Sequence, residues 1–198
     1  RVFQVNSGVN LTINNITIRN GRGDGGGISN SGTLTMTNCT VSGNSAGGNG
    51  GGILNSGSGT LTMTNCTVSG NSAAIAGGGI LNSGSGTLTM TNCTVSGNSA
   101  RDGGGIYNEG TLTMTNCTVS GNSAGIDGGG ILNSGTLTMT NCTVSGNSAA
   151  IAGGIINGGT LNLNNSIVAN NTASIGPDIS GPVSSGNFNL IGNTSGIS

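Results

Sequence analysis

Residues 128–149 read GGGILNSGTLTMTNCTVSGNSA, and this stretch decides the fold. The same unit, GGGI-x-N-x-G-TLTMTNCTVSGNSA, recurs at intervals of 25, 27, 26 and 25 residues, and its copies begin at Gly25, Gly50, Gly77, Gly103 and Gly128. Extra residues fall only before the TLTMT segment or in the tail of a copy, which marks these two places as turns. Internal repetition of this length is typical of solenoid proteins.

Each copy carries three short segments with the pattern of a β-strand. Within TLTMT the apolar and polar side chains alternate, which is the period of a strand. Cys39 and Val41 resume an apolar face after Asn38, and Ile28 begins the third segment. Because no helical pattern separates these segments, each strand is expected to pair with its own copy in the next repeat. The sequence therefore predicts an all-β fold, a single-stranded parallel β-helix of about eight coils with about 25 residues and three strands per coil.

The whole chain, 1–198, is predicted to be a single β-solenoid domain. Residues 1–24 form a degenerate N-terminal coil, residues 25–152 hold the five regular repeats, and residues 153–198 form degenerate C-terminal coils. In the first part, the segment NLTINNITI at 10–18 matches TLTMTNCTV. In the last part, a sixth copy has Ser166 where the regular repeats have Cys.

Stacked copies predict ladders of identical side chains inside the coils, made of Leu, Met, Val, Ile and Cys. Neighbouring coils would bring two Cys within the range of a disulfide, but the odd number and the apolar setting favour free, buried and inert thiols. Because His and C-x-x-C are absent, the sequence predicts no metal site, and it predicts no cofactor. The Cys ladder consists of Cys39, Cys66, Cys93, Cys117 and Cys142.

The composition excludes several classes of protein. Gly supplies 42 of 198 residues, charged residues are 5%, aromatic residues are 2%, and the net charge is −1. Four Arg and no Lys are too few to neutralise a nucleic-acid backbone, so no nucleic acid is expected as a partner. No run approaches the roughly 20 apolar residues of a membrane span. Such a polar chain would be expected to be disordered if it did not repeat.

The repeat and the C-terminal stretch NSIVANNTA…GPDISG…GNFNLIGN resemble a family. They are similar to the GG-[AG]-I repeats of bacterial secreted and cell-surface proteins, such as the polymorphic outer-membrane proteins. The resemblance covers nearly the whole chain. It implies right-handed coils and an extracellular, surface-associated role that is structural or adhesive, and it carries over no catalytic residue.

Threonines cover one outward face of the predicted β-helix. They stand about 6.7 Å apart along a strand and about 4.8 Å apart between coils, a spacing that resembles the T-x-T faces of ice-binding solenoids. Ice binding is therefore an alternative function, although Thr is also an ordinary residue on an exposed strand. The face comprises Thr33, Thr35, Thr37, Thr60, Thr62, Thr64, Thr87, Thr89, Thr91, Thr111, Thr113, Thr115, Thr136, Thr138 and Thr140.

A second outward row is apolar. The residue that follows the ladder Ile is expected to point outward, yet in five coils it is a large apolar side chain. Such a stripe indicates an interface, here a lateral packing surface between rods, unless an adjacent loop covers it. The predicted assembly stripe is Leu54, Leu81, Tyr107, Leu132 and Ile156.

Few residues offer catalytic chemistry. Asp102 and Asp127 precede Gly-Gly-Gly in consecutive repeats, with Arg101 beside them, and one coil would separate them by the distance of a retaining glycosidase pair. However, the chain lacks His, and the sequence shows neither an aromatic residue lining a groove nor a carboxylate cluster. The chain is therefore predicted not to be an enzyme. Arg22-Gly23-Asp24 spells an integrin-binding tripeptide, which a Gly-rich turn produces easily by chance.

Five N-C-T sequons recur with the repeat. Glycans at every coil would crowd together, so these Asn are expected to form a structural ladder at a corner. Sequons near the C-terminus, at Asn170 and Asn193, are freer candidates for modification. The repeated sequons begin at Asn38, Asn65, Asn92, Asn116 and Asn141.

The ends of the array lead to the predicted function. A solenoid exposes unpaired strand edges unless a cap covers them, and the sequence shows no amphipathic helix that would serve as one. Either the chain belongs to a longer solenoid, or copies stack head to tail into an open filament. The sequence therefore predicts a secreted, non-enzymatic structural protein that polymerises with itself. An ice-binding solenoid and an adhesin module of a larger surface protein are the alternatives, with ice or a surface glycan as partner.

Overall fold

The computed structural model describes residues 1–197 and shows parallel strands wound into one β-helix. Strands of successive coils pair in register, so each position of the repeat stands beside its copy one coil away. Leu88, for example, pairs with Leu61 on one side and with Leu112 on the other. The predicted all-β architecture, with about eight coils and three main strands per coil, is confirmed.

Three long sheets run the length of the helix. Sheet 1 has the strands Phe3–Val5, Ile28–Asn30, Ile53–Asn55, Ile80–Asn82, Ile106–Asn108, Ile131–Asn133, Ile155–Asn157, Ile179–Gly181 and Gly196–Ile197. Sheet 2 has Asn10–Asn14, Thr33–Thr37, Thr60–Thr64, Thr87–Thr91, Thr111–Thr115, Thr136–Thr140, Thr160–Asn164 and Ser185–Asn187. Sheet 3 has Thr17–Arg19, Thr40–Ser42, Thr67–Ser69, Thr94–Ser96, Thr118–Ser120, Thr143–Ser145, Ile167–Ala169 and Leu190–Ile191.

The repeat tails add a fourth, shorter sheet that the sequence pattern did not predict. Sequence reasoning treated these tails as turns because their lengths vary. In the structure the Ser of each of these tails pairs in register with the Ser of the next tail before the lengths diverge. Sheet 4 has the strands Ser45–Ala46, Ser72–Ala73, Ser99–Asp102 and Ser123–Asp127.

The core is the narrow interior of the coils, filled by the predicted ladders. In strand Thr87–Thr91, Leu88 and Met90 are fully buried, whereas the Thr residues between and beside them face outward. Val95 and Cys93 extend the same interior from the next strand, and Ile106 closes it from sheet 1. Since every coil repeats this set, the core needs no aromatic residue to fill it.

The corners of each coil need backbone conformations that most residues disfavour. Asn38, between sheets 2 and 3, has a φ of 53°, and its copies adopt nearly the same value. Asn tolerates this left-handed region better than other non-glycine residues. The first Gly of each GGG also lies there; at Gly128 (φ 64°) an added Cβ would stand 2.8 Å from the carbonyl oxygen of Ile131. Ala152 takes the equivalent position in the sixth copy, with a φ of 53°.

Three ladders of Asn side chains link the coils, and two of them are buried. In the first inner ladder each Nδ2 donates to the Oδ1 of the next Asn at 2.7–2.8 Å, through Asn30, Asn55, Asn82, Asn108, Asn133 and Asn157. The second inner ladder, at 2.9–3.0 Å, runs through Asn44, Asn71, Asn98, Asn122, Asn147 and Asn171. The outer ladder is exposed and runs through Asn15, Asn38, Asn65, Asn92, Asn116, Asn141 and Asn165.

Candidate functional site

The row of apolar residues on the outside of sheet 1 forms the floor of a groove. Leu54, Leu81 and Tyr107 line a recess of about 500 Å³, and Leu132 and Ile156 line a second recess of about 350 Å³ further along the rod. Leu81 is only 6% exposed, and the other four are half-buried. The predicted assembly stripe is therefore recessed between two walls. Its role in lateral packing stays a prediction, and a partner would have to insert a protruding group to reach it.

Tyr107 corrects one expectation drawn from the sequence. Sequence reasoning found no aromatic residue that lines a groove, but Tyr107 lies in the floor of this one. The alternation of apolar and polar residues in the strands does not predict this groove, because its depth depends on how far the neighbouring repeat tails project from the rod. One signal was present in the sequence, since Asp24, Asp102 and Asp127 each directly precede a Gly-Gly-Gly turn.

The walls of the groove carry most of the carboxylates of the protein. Asp24, Asp102 and Glu109 line the first recess, and Asp127 lines the second. These are four of the five carboxylates in the sequence. The fifth, Asp178, is buried at the end of the second inner ladder. We call the two recesses together, with these walls and the apolar floor, the acidic groove.

Asp102 and Asp127 are neighbours on adjacent strands of sheet 4, as the sequence predicted. Arg101 holds Asp102, because its Nε and Nη2 lie 3.0 and 2.9 Å from the Oδ2 of that carboxylate. In contrast, the Oδ1 of Asp127 is buried and accepts no hydrogen bond among the described residues. Burial, together with the negative charge of Asp102, raises the pKa of the Asp127 carboxyl above its ordinary value.

The threonine face lies on sheet 2, on another side of the rod from the acidic groove. All three Thr columns pair in register through five coils; Thr89, for example, stands between Thr62 and Thr113. The array ends where Asn162 takes the place of Thr in the sixth copy. The structure thus places the fifteen predicted residues on one outward, regular surface, and ice binding there stays a prediction.

The five Cys residues are free thiols, each at most 2% exposed. The backbone N–H of each of the first four faces the Sγ of the next Cys at 3.4 Å, as from Cys93 to Cys117. The thiols of Cys117 and Cys66 on either side, and the burial of its own sulfur, raise the pKa of the Cys93 thiol. Hydrogen bonds act the other way on its neighbours: Cys93 lowers the pKa of the Cys66 thiol to about 6, and Cys142 lowers the pKa of the Cys117 thiol to about 3. The inertness of the ladder therefore rests on the burial of its sulfurs.

The remaining candidates are held by structural contacts. The repeated sequon Asn residues form the outer ladder and are exposed, whereas Asn170 and Asn193 stand outside it and are also exposed. In the RGD tripeptide, the Oδ1 of Asp24 accepts a hydrogen bond from the backbone N–H of Asn49 at 3.0 Å. This bond ties the Asp24 carboxylate to the next coil.

No group of three or more His, Cys, Asp or Glu that would hold a metal ion occurs among residues 1–197. Within the same range, no helix is long and apolar enough to cross a membrane.

The coil geometry defines a parallel β-helix repeat protein. A comparison of the sequence with protein families identifies the family to which it belongs. The family described as right handed beta helix region matches residues 2–111 and, in a second overlapping match, residues 48–195. The chain belongs to this family, and its coils are right-handed. Searches of curated proteins and of solved structures find no match.

Proposed function

We propose that this protein is a non-catalytic structural module of an extracellular surface or matrix, and that copies of it stack end to end. The observation that carries the proposal is the in-register pairing of every coil with the next. Strand Asn10–Asn14 pairs with Thr33–Thr37 on one side only, and its other edge is open among the described residues. A further coil meeting this edge would find the same backbone spacing that occurs inside the rod, with Leu11 and Ile13 at the positions of Leu34 and Met36.

The first coil also leaves part of its core uncovered. Leu11 and Ile13 are half-buried, whereas their counterparts Leu34 and Met36 in the next coil are at most 1% exposed. Stacking another copy on this coil would bury apolar surface and pair the open edge at the same time. Because the contact joins one end of a rod to the other, it does not close and produces a filament.

The extracellular setting and the absence of catalysis rest on separate arguments. The resemblance of the repeat to bacterial surface proteins supports an extracellular role. The non-catalytic role is supported by the pairing of Asp102 with Arg101 and by the lack of His in the chain. If Asp102 and Asp127 did hydrolyse a glycan, Asp102→Asn and Asp127→Asn would each abolish that activity.

The test is electron microscopy of the untagged protein at neutral pH. We expect filaments with an axial repeat near 38 Å, which is about eight coils at roughly 4.8 Å each. Ile13→Arg places a charge on the uncovered end of the core and is expected to leave single rods. Thr12→Arg, on the outward face of the same strand, is the matched control and is expected to keep the filaments. Discrete rods of the unmodified protein at every concentration would overturn the proposal.

The threonine face favours a second candidate function, the ordering of water for ice binding. Fifteen hydroxyl and methyl groups repeat on one surface with the coil spacing. This function requires a monomer that shapes ice crystals. Thr89→Tyr, in the middle of the array, would then abolish ice shaping, whereas Thr94→Tyr on sheet 3 would not. Ordinary disc-shaped crystals in the presence of the unmodified protein would exclude it.

A further inference from the structure

The negative charges of this protein are concentrated in one place. Four of its five carboxylates lie on the walls of the acidic groove, and the only Arg there is Arg101, whose charge is paired with Asp102. The floor between these walls is apolar along its length. The groove therefore combines a net negative charge with a hydrophobic base, and a complementary ligand carries positive charges on an apolar backbone.

We propose that the acidic groove binds a linear aliphatic polyamine, with its methylene chain on the floor and its ammonium groups on the wall carboxylates. The groove runs along the rod axis, so positions on one wall are separated by whole coils. Asp102 and Asp127 are one coil apart, or about 4.8 Å, whereas Asp24 lies three coils from Asp102, or roughly 14 Å. A compact cation meets only one point of this row, but an elongated one with several charges can meet carboxylates on different coils at once.

The floor matches a methylene chain. Leu54, Leu81 and Tyr107 offer aliphatic and aromatic carbon without a polar group in the base of the recess, apart from the Tyr hydroxyl. Ser56 and Ser83 line the wall opposite the acidic column, where their hydroxyls can accept from an amine. An ammonium group above an aromatic ring gains a further attraction, which Tyr107 supplies.

Asp127 gives an independent reason to expect a donor in the groove. Its Oδ1 is buried without a hydrogen-bond partner among the described residues, which is unfavourable, and a donor in the second recess satisfies it once the carboxylate turns this oxygen outward. An ammonium group donates up to three hydrogen bonds, and it offsets the repulsion between the carboxylates of Asp127 and Asp102. The raised pKa of Asp127 is consistent with a site that lacks its counter-charge.

Two other classes of cation fit the groove less well. A metal ion needs several oxygen ligands converging on one point, and the described residues hold no cluster of three or more acidic or other ligating side chains. A basic polypeptide would bring its own N–H and C=O groups. The strands below the floor are paired on both sides, as Ile80–Asn82 is with its two neighbours, so they offer a peptide no backbone partners. A polyamine carries only the groups that this groove accommodates.

The protein supplies its own reporter for the test. Tyr107 is the only tyrosine and there is no tryptophan, so tyrosine fluorescence arises from the floor of the groove. Titration with spermidine at low ionic strength is expected to give a saturable change that weakens when NaCl rises to about 0.2 M. A neutral diol of similar length is expected to give no saturable change. Backbone amide NMR shifts at Leu81 and Leu132, which lie two coils or about 10 Å apart, check that the ligand reaches both recesses.

Three variants separate this proposal from non-specific charge attraction. The double variant Asp102→Asn with Asp127→Asn is expected to weaken spermidine binding by at least about tenfold, which corresponds to the loss of one strong ion pair. Arg101→Gln removes the guanidinium group that competes with the ligand for the Asp102 carboxylate, and it is expected to tighten spermidine binding. Thr113→Asn on sheet 2 is the control and should change nothing. Circular dichroism verifies that each variant is folded.

The opposite results are equally definite. The proposal is overturned if spermidine causes no saturable change at millimolar concentration, or if the double variant binds as tightly as the unmodified protein. It is also overturned if a Lys-rich peptide displaces spermidine with much higher affinity, since the groove would then be a polypeptide site. Discrete rods of the unmodified protein would overturn end-to-end stacking but leave this groove intact, so the two proposals fail independently.

Discussion

Asn171 donates twice to Asp178: its backbone N–H and its Nδ2 lie 3.0 and 2.8 Å from the same Oδ1. All amides of the second inner ladder point their donors in this direction, so their dipoles add along the rod. The ladder thus ends on a buried carboxylate, where a negative charge best meets the aligned donors. The other oxygen, Oδ2, accepts from the backbone N–H of Asn193 at 2.7 Å and fastens the last coil.

Removal of this carboxylate is predicted to loosen the C-terminal coils. Asp178→Ala leaves the backbone N–H groups of Asn171 and Asn193 without an acceptor and should cost about 2–4 kcal/mol of unfolding free energy, measured by urea denaturation. Asp178→Asn keeps one side-chain oxygen and should lose less. Glu109→Ala, at an exposed carboxylate, is the control and should change stability little. A loss of stability as large in Glu109→Ala would contradict this account.

The inner and outer Asn ladders are predicted to contribute very differently to stability. The Oδ1 of Asn98 accepts from the N and Nδ2 of Asn71 at 2.9 and 3.0 Å. Its Nδ2 donates to the oxygens of Val68 and Asn122, both at 3.0 Å. Asn98→Ala leaves these buried groups unsatisfied and should cost about 3 kcal/mol or more. Asn92→Gly, in the exposed ladder, keeps the backbone conformation and should cost less than about 1 kcal/mol, because water replaces the lost bonds.

Ala152 is predicted to be a strained residue that glycine would relieve. It has a φ of 53° at a position where the regular copies have Gly. Ala152→Gly should raise the unfolding free energy by about 0.5–1 kcal/mol, since the relief of left-handed strain exceeds the added entropy of the unfolded chain. The reverse change at the equivalent site, Gly128→Ala, should destabilise by about 2 kcal/mol. Equal stability of Ala152→Gly and the unmodified protein in urea would show that the site carries no strain.

Asp127 is predicted to make stability fall as the pH rises through the acidic range. Its pKa in the folded protein is raised, so the folded state favours the protonated carboxyl. The stability that this preference contributes is fully present below the ordinary Asp pKa of about 3.9 and is lost as the pH rises through the higher folded value. Asp127→Asn should remove this part of the pH dependence and raise the melting temperature at pH 7. A pH profile of melting temperature unchanged by the substitution would rule the effect out.

The Cys ladder is predicted to be unreactive until the coils open. Because all five Cys residues are at most 2% exposed, an aromatic disulfide reagent at pH 8 should modify no thiol in the folded protein and all five in denaturant. Cys93→Ser should cost about 1 kcal/mol or less. Ser166 already occupies the equivalent place, where its Oγ accepts from the backbone N–H of Cys142 at 3.1 Å. Rapid modification of one thiol in the folded protein would reveal an opening in the ladder.

The sequence predicted the regular part of this molecule because identical residues recur at one spacing. Leu88 has the same neighbours above and below, so its burial follows from the repeat alone. The partner of Asn171 is different, since Asp178 reaches it through a degenerate coil whose path no periodicity describes. The groove around Tyr107 was missed for a related reason, because its walls come from tails of unequal length. The candidate site therefore lies where the repeats differ, and the core lies where they agree.

The near-identity of the coils also bears on how the chain finds its fold. Strand Thr87–Thr91 pairs with Thr111–Thr115, but Thr136–Thr140 carries the same side chains. If the chain skipped one coil during folding, the wrong pair of strands would therefore fit almost as well as the right pair. The irregular features supply the information that determines which coils become neighbours. The inserts Ser56–Gly59 and Ser83–Gly86 match only each other, and the single Asp178 fits only the last link of its ladder. These few departures from the repeat distinguish one arrangement of coils from the many that slippage would otherwise allow.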